Sequence, residues 1–219
     1  MKLLGIDCST QACSVAVSTG TVVFLKHELL PQHHAKRILF LIDALLKEAK
    51  IHSTELDAIA VGIGPGSFTG LRIAASVAQG FAFGLGLPLV PISSLQILAQ
   101  TAYRTYAEPE VWVAVDARMG EVYWGEYQLD KASGIMVVKK ADQLSKPKQC
   151  YSNIKLAVGS AFEAYAISAC SSAKIDNLLL PKADALLDFA IESVNKKRMI
   201  APDSLQLNYL RNEVVHRQI

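Results

Sequence analysis

Residues 62–71 read GIGPGSFTGL, four glycines and a proline set between an apolar run and a run rich in small residues. The preceding stretch, LDAIAVG over 56–62, has the length and apolar character of a buried strand. From Leu71 to Gly84 the chain is rich in alanine, with Arg72 as its one charge. A glycine-rich turn from strand to helix is where α/β folds bring backbone amides up to a phosphate or to another chain. The familiar phosphate fingerprints do not fit it. A P-loop needs Lys and then Ser or Thr after its last glycine, whereas Gly70 is followed by Leu71 and no lysine occurs between Ile51 and Asp130. Gly62, Gly64 and Gly66 are spaced G-x-G-x-G, not the G-x-G-x-x-G of a dinucleotide site. Ser67 has Pro65 where a nucleophile elbow has glycine. A tight turn using glycine for positive φ and a turn that holds a ligand both remain open.

The chain of 219 residues fits one large domain or two lobes, and a 51% apolar composition excludes disorder. A net charge of +2 is too small to make a nucleic-acid binder by electrostatics alone. Cys8, Cys13, Cys150 and Cys170 show no zinc or CxxC spacing, so they read as reduced thiols of a cytoplasmic protein. The start, MKLLGIDCST, is interrupted by Asp7 and does not read as a signal peptide. From Ile73 to Tyr103 no residue is charged, a length sufficient to cross a bilayer, but Gly84, Gly86, Pro88 and Pro91 punctuate it. It parses better as a helix over about 70–84, a turn, the strand LPLVPI, and a helix capped by Ser93 or Ser94. No membrane association is expected.

The N-terminal segment reads as a meander of three strands, followed by an amphipathic helix over 32–50 whose apolar face is Ile38, Leu41, Ile42, Leu45 and Ala49. Leu39, Phe40 and Leu46 widen that face beyond an ordinary core stripe, which reads as a partner surface. After the glycine turn, Gly70, Ala74 and Ala78 recur every four residues and would let another helix come close; packing on the chain's own sheet explains them equally well. The second half repeats the opening. VWVAVD, ending in Asp116, is followed by the polar ARMGE and the strand VYWGEYQL, as LLGID, ending in Asp7, is followed by CSTQA and CSVAVS. The expectation is a duplicated α/β architecture with lobes 1–106 and 107–219. Beyond Lys131 the pattern weakens: a polar stretch to about 153, the strand IKLAVG, helical pieces near 161–169 and 186–194, and a tail.

LGIDCST with SVAV, GPGSFTGLRI, VDARMGEVYWGEY and the terminal YLRNEV together resemble the bacterial TsaB family, also called YeaZ or the glycoprotease family. The resemblance implies the actin-like ATPase, sugar kinase and heat-shock chaperone fold (ribonuclease H-like), with two lobes built on βββαβα cores. It implies a non-catalytic subunit that supports a TsaD-type transferase in forming threonylcarbamoyladenosine beside the anticodon of tRNAs decoding ANN codons. A TsaE-type ATPase completes that assembly, so ATP is used by the complex and no cofactor of the chain's own is expected. Homodimers in isolation, pairing with TsaD through N-terminal helices, and indirect contact with tRNA are further implications. The candidate partner interface is then Leu39, Ile42, Leu46, Gly70, Arg72, Ala74 and Ala78.

The residues agree with a non-catalytic role. Kinases of the implied fold hold phosphates with a D-x-G-x-[TS] hairpin; here Asp7 fits, but Ser9 stands where the glycine belongs and its Cβ and hydroxyl obstruct close backbone approach. Asp7, Ser9 and Thr10 thus form a degenerate phosphate hairpin, with Asp116 its second-lobe counterpart. The catalytic paralogue uses H-x-x-x-H on one helix face, whereas His33 and His34 are adjacent and point apart. No catalytic or metal set is expected. A nucleotide-binding kinase or ATPase of the same fold is the alternative, and a peptidase, the older family label, a third reading. The usual proline before YLR is replaced by Asn208, which leaves the tail's path open.

Overall fold

Each half of the chain builds a five-stranded sheet of the same topology. The computed structural model describes residues 1–147, 154–167 and 173–211. The first half contains β1 (Leu3–Asp7), β2 (Ala12–Ser18), β3 (Val23–Leu29), α1 (His34–Ala49), β4 (Ala58–Gly62), α2 (Phe68–Leu85), β5 (Leu89–Ile92) and α3 (Ser94–Tyr106). The second contains β6 (Glu110–Asp116), β7 (Val122–Asp130), β8 (Ile135–Ser145), β9 (Leu156–Val158), α4 (Ala161–Ala164), β10 (Lys174–Asp176) and α5 (Ala183–Asn195). The sheet orders are β3-β2-β1-β4-β5 and β8-β7-β6-β9-β10. In both, the first three strands run antiparallel and the last two lie parallel to the first. Asp7 and Asp116 end the equivalent strands β1 and β6.

Strand parity explains how the first sheet is covered on both faces. Leu4, Ile6, Cys13, Val15, Val17, Ile59 and Val61 face α1 and α2 in one core, while Leu3, Ala16, Ala58 and Ala60 meet α5 in another. The α5 side carries mostly small residues because that helix lies very close. A Cβ on Gly5 would stand 2.9 Å from the Ala183 carbonyl, and Ser14 Oγ accepts the Ala183 amide at 2.9 Å. The last helix of each half is exchanged: α3 packs with Val111, Val113, Tyr127 and Leu156 of the second sheet, and α5 closes the first. A cut after residue 106 would therefore part neither core cleanly. On the outer face of the second sheet, Trp112 meets Phe162 of α4 edge-on at 4.8 Å.

The polar stretch after Lys131, unread in the sequence, contains β8, an edge strand of the second sheet. Its lysines pair across the sheet, Lys139 with Glu110 and Lys140 with Glu126. Ser93 is the cap of α3, accepting the Gln96 amide at 3.3 Å. The helical reading of 161–169 shortens to one turn, α4, with 168 and 169 outside the described residues, as are Cys150 and Cys170. No helix among the described residues is long and apolar enough to cross a membrane.

Candidate functional site

A cleft of about 830 Å³ lies between the lobes. Its walls are the β1–β2 turn (Ser9, Thr10), the start of α2 (Gly66 to Leu71), the β6–β7 turn (Asp116 to Arg118) and the tail at Asn208, Tyr209 and Arg211. The glycine turn and the β1–β2 turn are locked together. A Cβ on Gly70 would stand 1.9 Å from the Cys8 carbonyl oxygen, and one on Gly66 2.4 Å from that of Ser9. The Ser67 amide donates to Ser9 O at 2.7 Å, and the Gly70 amide to Ser67 Oγ at 3.3 Å. The Gly64 amide goes to Ser94 Oγ at 3.1 Å. These amides are spent inside the protein, so the turn's glycines serve backbone-to-backbone packing.

Asp7 is buried and does not line the cleft. Its Oδ1 accepts the Ser9 amide at 3.0 Å and Ser9 Oγ at 2.8 Å; its Oδ2 accepts Ser94 Oγ at 3.3 Å. Burial raises its pKa from 3.8 to about 6, against the lowering effect of those hydrogen bonds. Ser9 thus turns back onto Asp7, and Thr10 Oγ1 accepts the Ala12 amide at 3.2 Å. Asp116 lines the cleft but is equally occupied. Its Oδ1 accepts from the Arg118 amide and from Tyr165 Oη, both at 2.7 Å, and its Oδ2 meets the Arg118 guanidinium at 3.1 Å. Both carboxylates act as turn anchors. Cys8 and Cys13 lie side by side below, buried, with sulfurs 3.7 Å apart.

His34 is buried while His33, at the N-cap of α1, is exposed and makes no side-chain cap bond. Among the described residues no three His, Cys, Asp or Glu side chains group as metal ligands. Two side chains here carry no site signal in the sequence, Ser94, which reads only as a possible helix cap, and Asp142. Ser93 donates to Asp142 Oδ2 at 2.5 Å and Tyr127 Oη donates to its Oδ1, so a buried carboxylate, Asp7, and a partly buried one, Asp142, meet the first residues of α3. Burial raises the pKa of Asp142 also. Asp142 sits in β8, where the sequence offered no signal; the serine pair was legible as a cap and nothing more.

The residues read as a partner interface divide in two. Ile42, Leu46, Gly70, Ala74 and Ala78 are buried in the chain's own first-lobe core or against Cys8, which corrects their reading as a surface. Leu39 and Arg72 are exposed, as is Phe40 beside Leu39. The small-residue stripe that α2 turns outward is a different one, Ser76, Gly80 and Gly84, next to the exposed Phe83. A Cβ at Gly80 or Gly84 would meet no atom within 4 Å.

A family profile described as "TsaD: tRNA N6-adenosine threonylcarbamoyltransferase" matches residues 27–201. The Escherichia coli "tRNA threonylcarbamoyladenosine biosynthesis protein TsaB" is 35% identical, over 100% of this chain and 98% of the relative. The protein of the same name from Haemophilus influenzae is 34% identical over 100% of this chain and 97% of the relative. The chain belongs to the TsaB (YeaZ) family. The solved structure of YeaZ from Pseudomonas aeruginosa superposes with a TM-score of 0.89 at 37% identity, covering 95% of this chain and 99% of that one. The duplicated sheets therefore have the TsaB form of the actin-like, sugar-kinase and chaperone fold, as the sequence motifs implied. Two TsaB motifs far apart in sequence, GPGSFTGLR and YLR, meet in space. Arg72 Nε donates to Tyr209 Oη at 3.2 Å, and the Phe68 and Tyr209 rings lie 5.5 Å apart.

Proposed function

We propose that this protein is an accessory subunit in threonylcarbamoyladenosine biosynthesis on tRNA, one that supports a TsaD-type transferase and has no catalysis of its own. The observation that carries the reading is likeness over the full length to proteins named for that biosynthesis, joined to two strand-end aspartates, Asp7 buried and Asp116 on the cleft wall, that are both consumed as turn anchors. ANN-decoding tRNAs as substrates, a TsaE-type ATPase as a third component, homodimers in the absence of TsaD, indirect tRNA contact and a cytoplasmic setting complete the proposal. ATP is consumed by the complex in this reading, not by the isolated chain.

Reconstitution tests the role. Purified tRNA, threonylcarbamoyl-adenylate, ATP, a TsaD-type partner and a TsaE-type ATPase should form the modified nucleoside only when this chain is added. Undiminished product without it would sink the proposal. The kinase reading is separated by an assay of the purified chain alone, since it requires nucleotide turnover without the other components.

The partner face in this proposal is the outer side of α1 and α2: Leu39, Phe40, Arg72, Ser76, Gly80 and Phe83. Leu39→Glu and Phe40→Glu place a carboxylate on a surface that association would desolvate. Each should weaken self-association or TsaD binding by about tenfold or more, with the thermal midpoint little changed. Sedimentation or size-exclusion titration reads this directly, and unchanged association of a folded variant counts against the face. Leu46→Glu, by contrast, buries a charge in the first-lobe core and should unfold the chain.

A further inference from the structure

The tail after α5 runs the length of the first lobe and then crosses to the second. Ile200 bridges to Leu89, Gln79 Nε2 donates to Pro202 O at 2.8 Å, and the Asn208 amide donates to Ile63 O at 2.8 Å. At the start of α2, Tyr209 stands beside Phe68 and takes a hydrogen bond from Arg72, whose guanidinium lies 3.9 Å over the Phe68 ring. Two residues further on the chain has changed lobes. Arg211 donates to Glu121 Oε2 at 2.6 Å and to the Arg118 carbonyl at 3.3 Å, both in the β6–β7 turn. Its side chain is only 15% exposed.

We propose that residues 208–211 form a clasp across the mouth of the cleft, fixing how far the two lobes stand apart. Three features support it. The tail is anchored on the first lobe by backbone and ring contacts, and on the second by a charged fork, so it transmits force between them. The grip on the second lobe is the stronger kind of hydrogen bond, charge-assisted, from an arginine side chain that is mostly covered. The turn it grips also needs an outside support, because Arg118, Met119 and Gly120 are successively left-handed, with φ of 63°, 55° and 73°. Two of these three residues carry a Cβ that disfavours that conformation. Asp116 and Arg211 hold this turn from opposite ends, the first through the Arg118 amide and the second through its carbonyl. The clasp gives the YLR motif a mechanical role that is independent of any partner. Because Tyr209 rests on Phe68 and Arg72, it also ties the opening of the cleft to the first turn of α2.

Amide hydrogen exchange on the full chain tests the clasp. In Arg211→Ala, exchange should quicken on both walls of the cleft, at 118–121 and at 64–70, by about tenfold, the factor carried by one charge-assisted hydrogen bond. The central strands β1 and β4 should keep wild-type protection. Unchanged exchange, or loosening confined to 118–121, overturns the coupling. If β1 and β4 loosen as well, Arg211→Lys decides, since it keeps the charge beside Glu121 but gives up the planar fork. A clasp then predicts faster exchange on the two walls with the strands protected; strands and walls loosening together would overturn it.

Discussion

Gly70→Ala is expected to destabilise the protein by roughly 3 kcal/mol or more, a fall of about 6–12 °C in thermal midpoint for a chain of this size. The new methyl would stand 1.9 Å from the Cys8 carbonyl oxygen, and a backbone atom cannot swing aside as a side-chain tip can. Relief requires α2 to move off the β1–β2 turn. That motion breaks the Ser67 amide's bond to Ser9 O and drags Ala74 and Ala78 out of the first-lobe core. Loss of the Ser67 cap on the Gly70 amide adds to the cost. Gly80→Ala, ten residues along the same helix, has the opposite expectation. Gly80 is exposed, with no neighbour near its Cβ position, so alanine should gain about 0.5–1 kcal/mol from helix propensity. Denaturation of the two variants side by side separates packing from propensity. Equal and small effects would mean that the glycine turn is not a close-packed joint. If Gly80 also belongs to the proposed partner face, its alanine variant gains stability while losing association.

Most of the first sheet was legible because its strands alternate or run wholly apolar, and its helices carry face periodicity. The repeat was legible from Asp7 and Asp116 at corresponding strand ends. What stayed hidden has physical reasons. β8 is an edge strand whose lysines satisfy themselves across the sheet, so its composition is that of a solvated surface. The exchange of α3 and α5 between sheets depends on contacts far apart in the chain, which no local pattern encodes. The direction of a helix face was the other blind spot. α2 bears small residues on two sides, Gly70–Ala74–Ala78 and Ser76–Gly80–Gly84, and spacing alone does not say which faces inward. Position relative to the glycine turn decides it, since Gly70 must lie over Cys8. At the site, the sequence marks Ser9 only as a residue standing where a phosphate hairpin has glycine. What no motif conveys is where its groups go: the serine turns its hydroxyl onto Asp7, and its carbonyl is taken by Ser67.

Asp7→Asn is expected to raise stability at pH 8 by up to about 3 kcal/mol, an effect that shrinks as the pH is lowered. The folded carboxyl titrates near 6 and the unfolded one near 3.8, so the native state binds the extra proton between those values. Stability from this group is therefore greatest below about pH 4 and is lost as the pH rises through 6. Above that, the chain holds a buried charge whose hydrogen bonds from Ser9 and Ser94 do not offset its desolvation. Asparagine has the same shape and can still accept both Ser9 donors through its oxygen. It carries no charge, and its Nδ2 can donate to Ser94 Oγ. Urea denaturation of both proteins at pH 5 and pH 8 is the measurement, and a stability difference that is the same at both values would refute the buried-charge account. Gly62 bears on the same pocket, because a Cβ there would stand 2.0 Å from Asp7 Oδ2, so the carboxylate occupies space that only glycine leaves open. A carboxylate kept where an amide folds more stably answers to something other than stability. If Asp7→Asn is both more stable and fully competent in the reconstituted modification reaction, the charge is dispensable for the accessory role. If stability rises while modification falls, the charge itself is used, and the α3 start that Asp7 shares with Asp142 is the place to look for how.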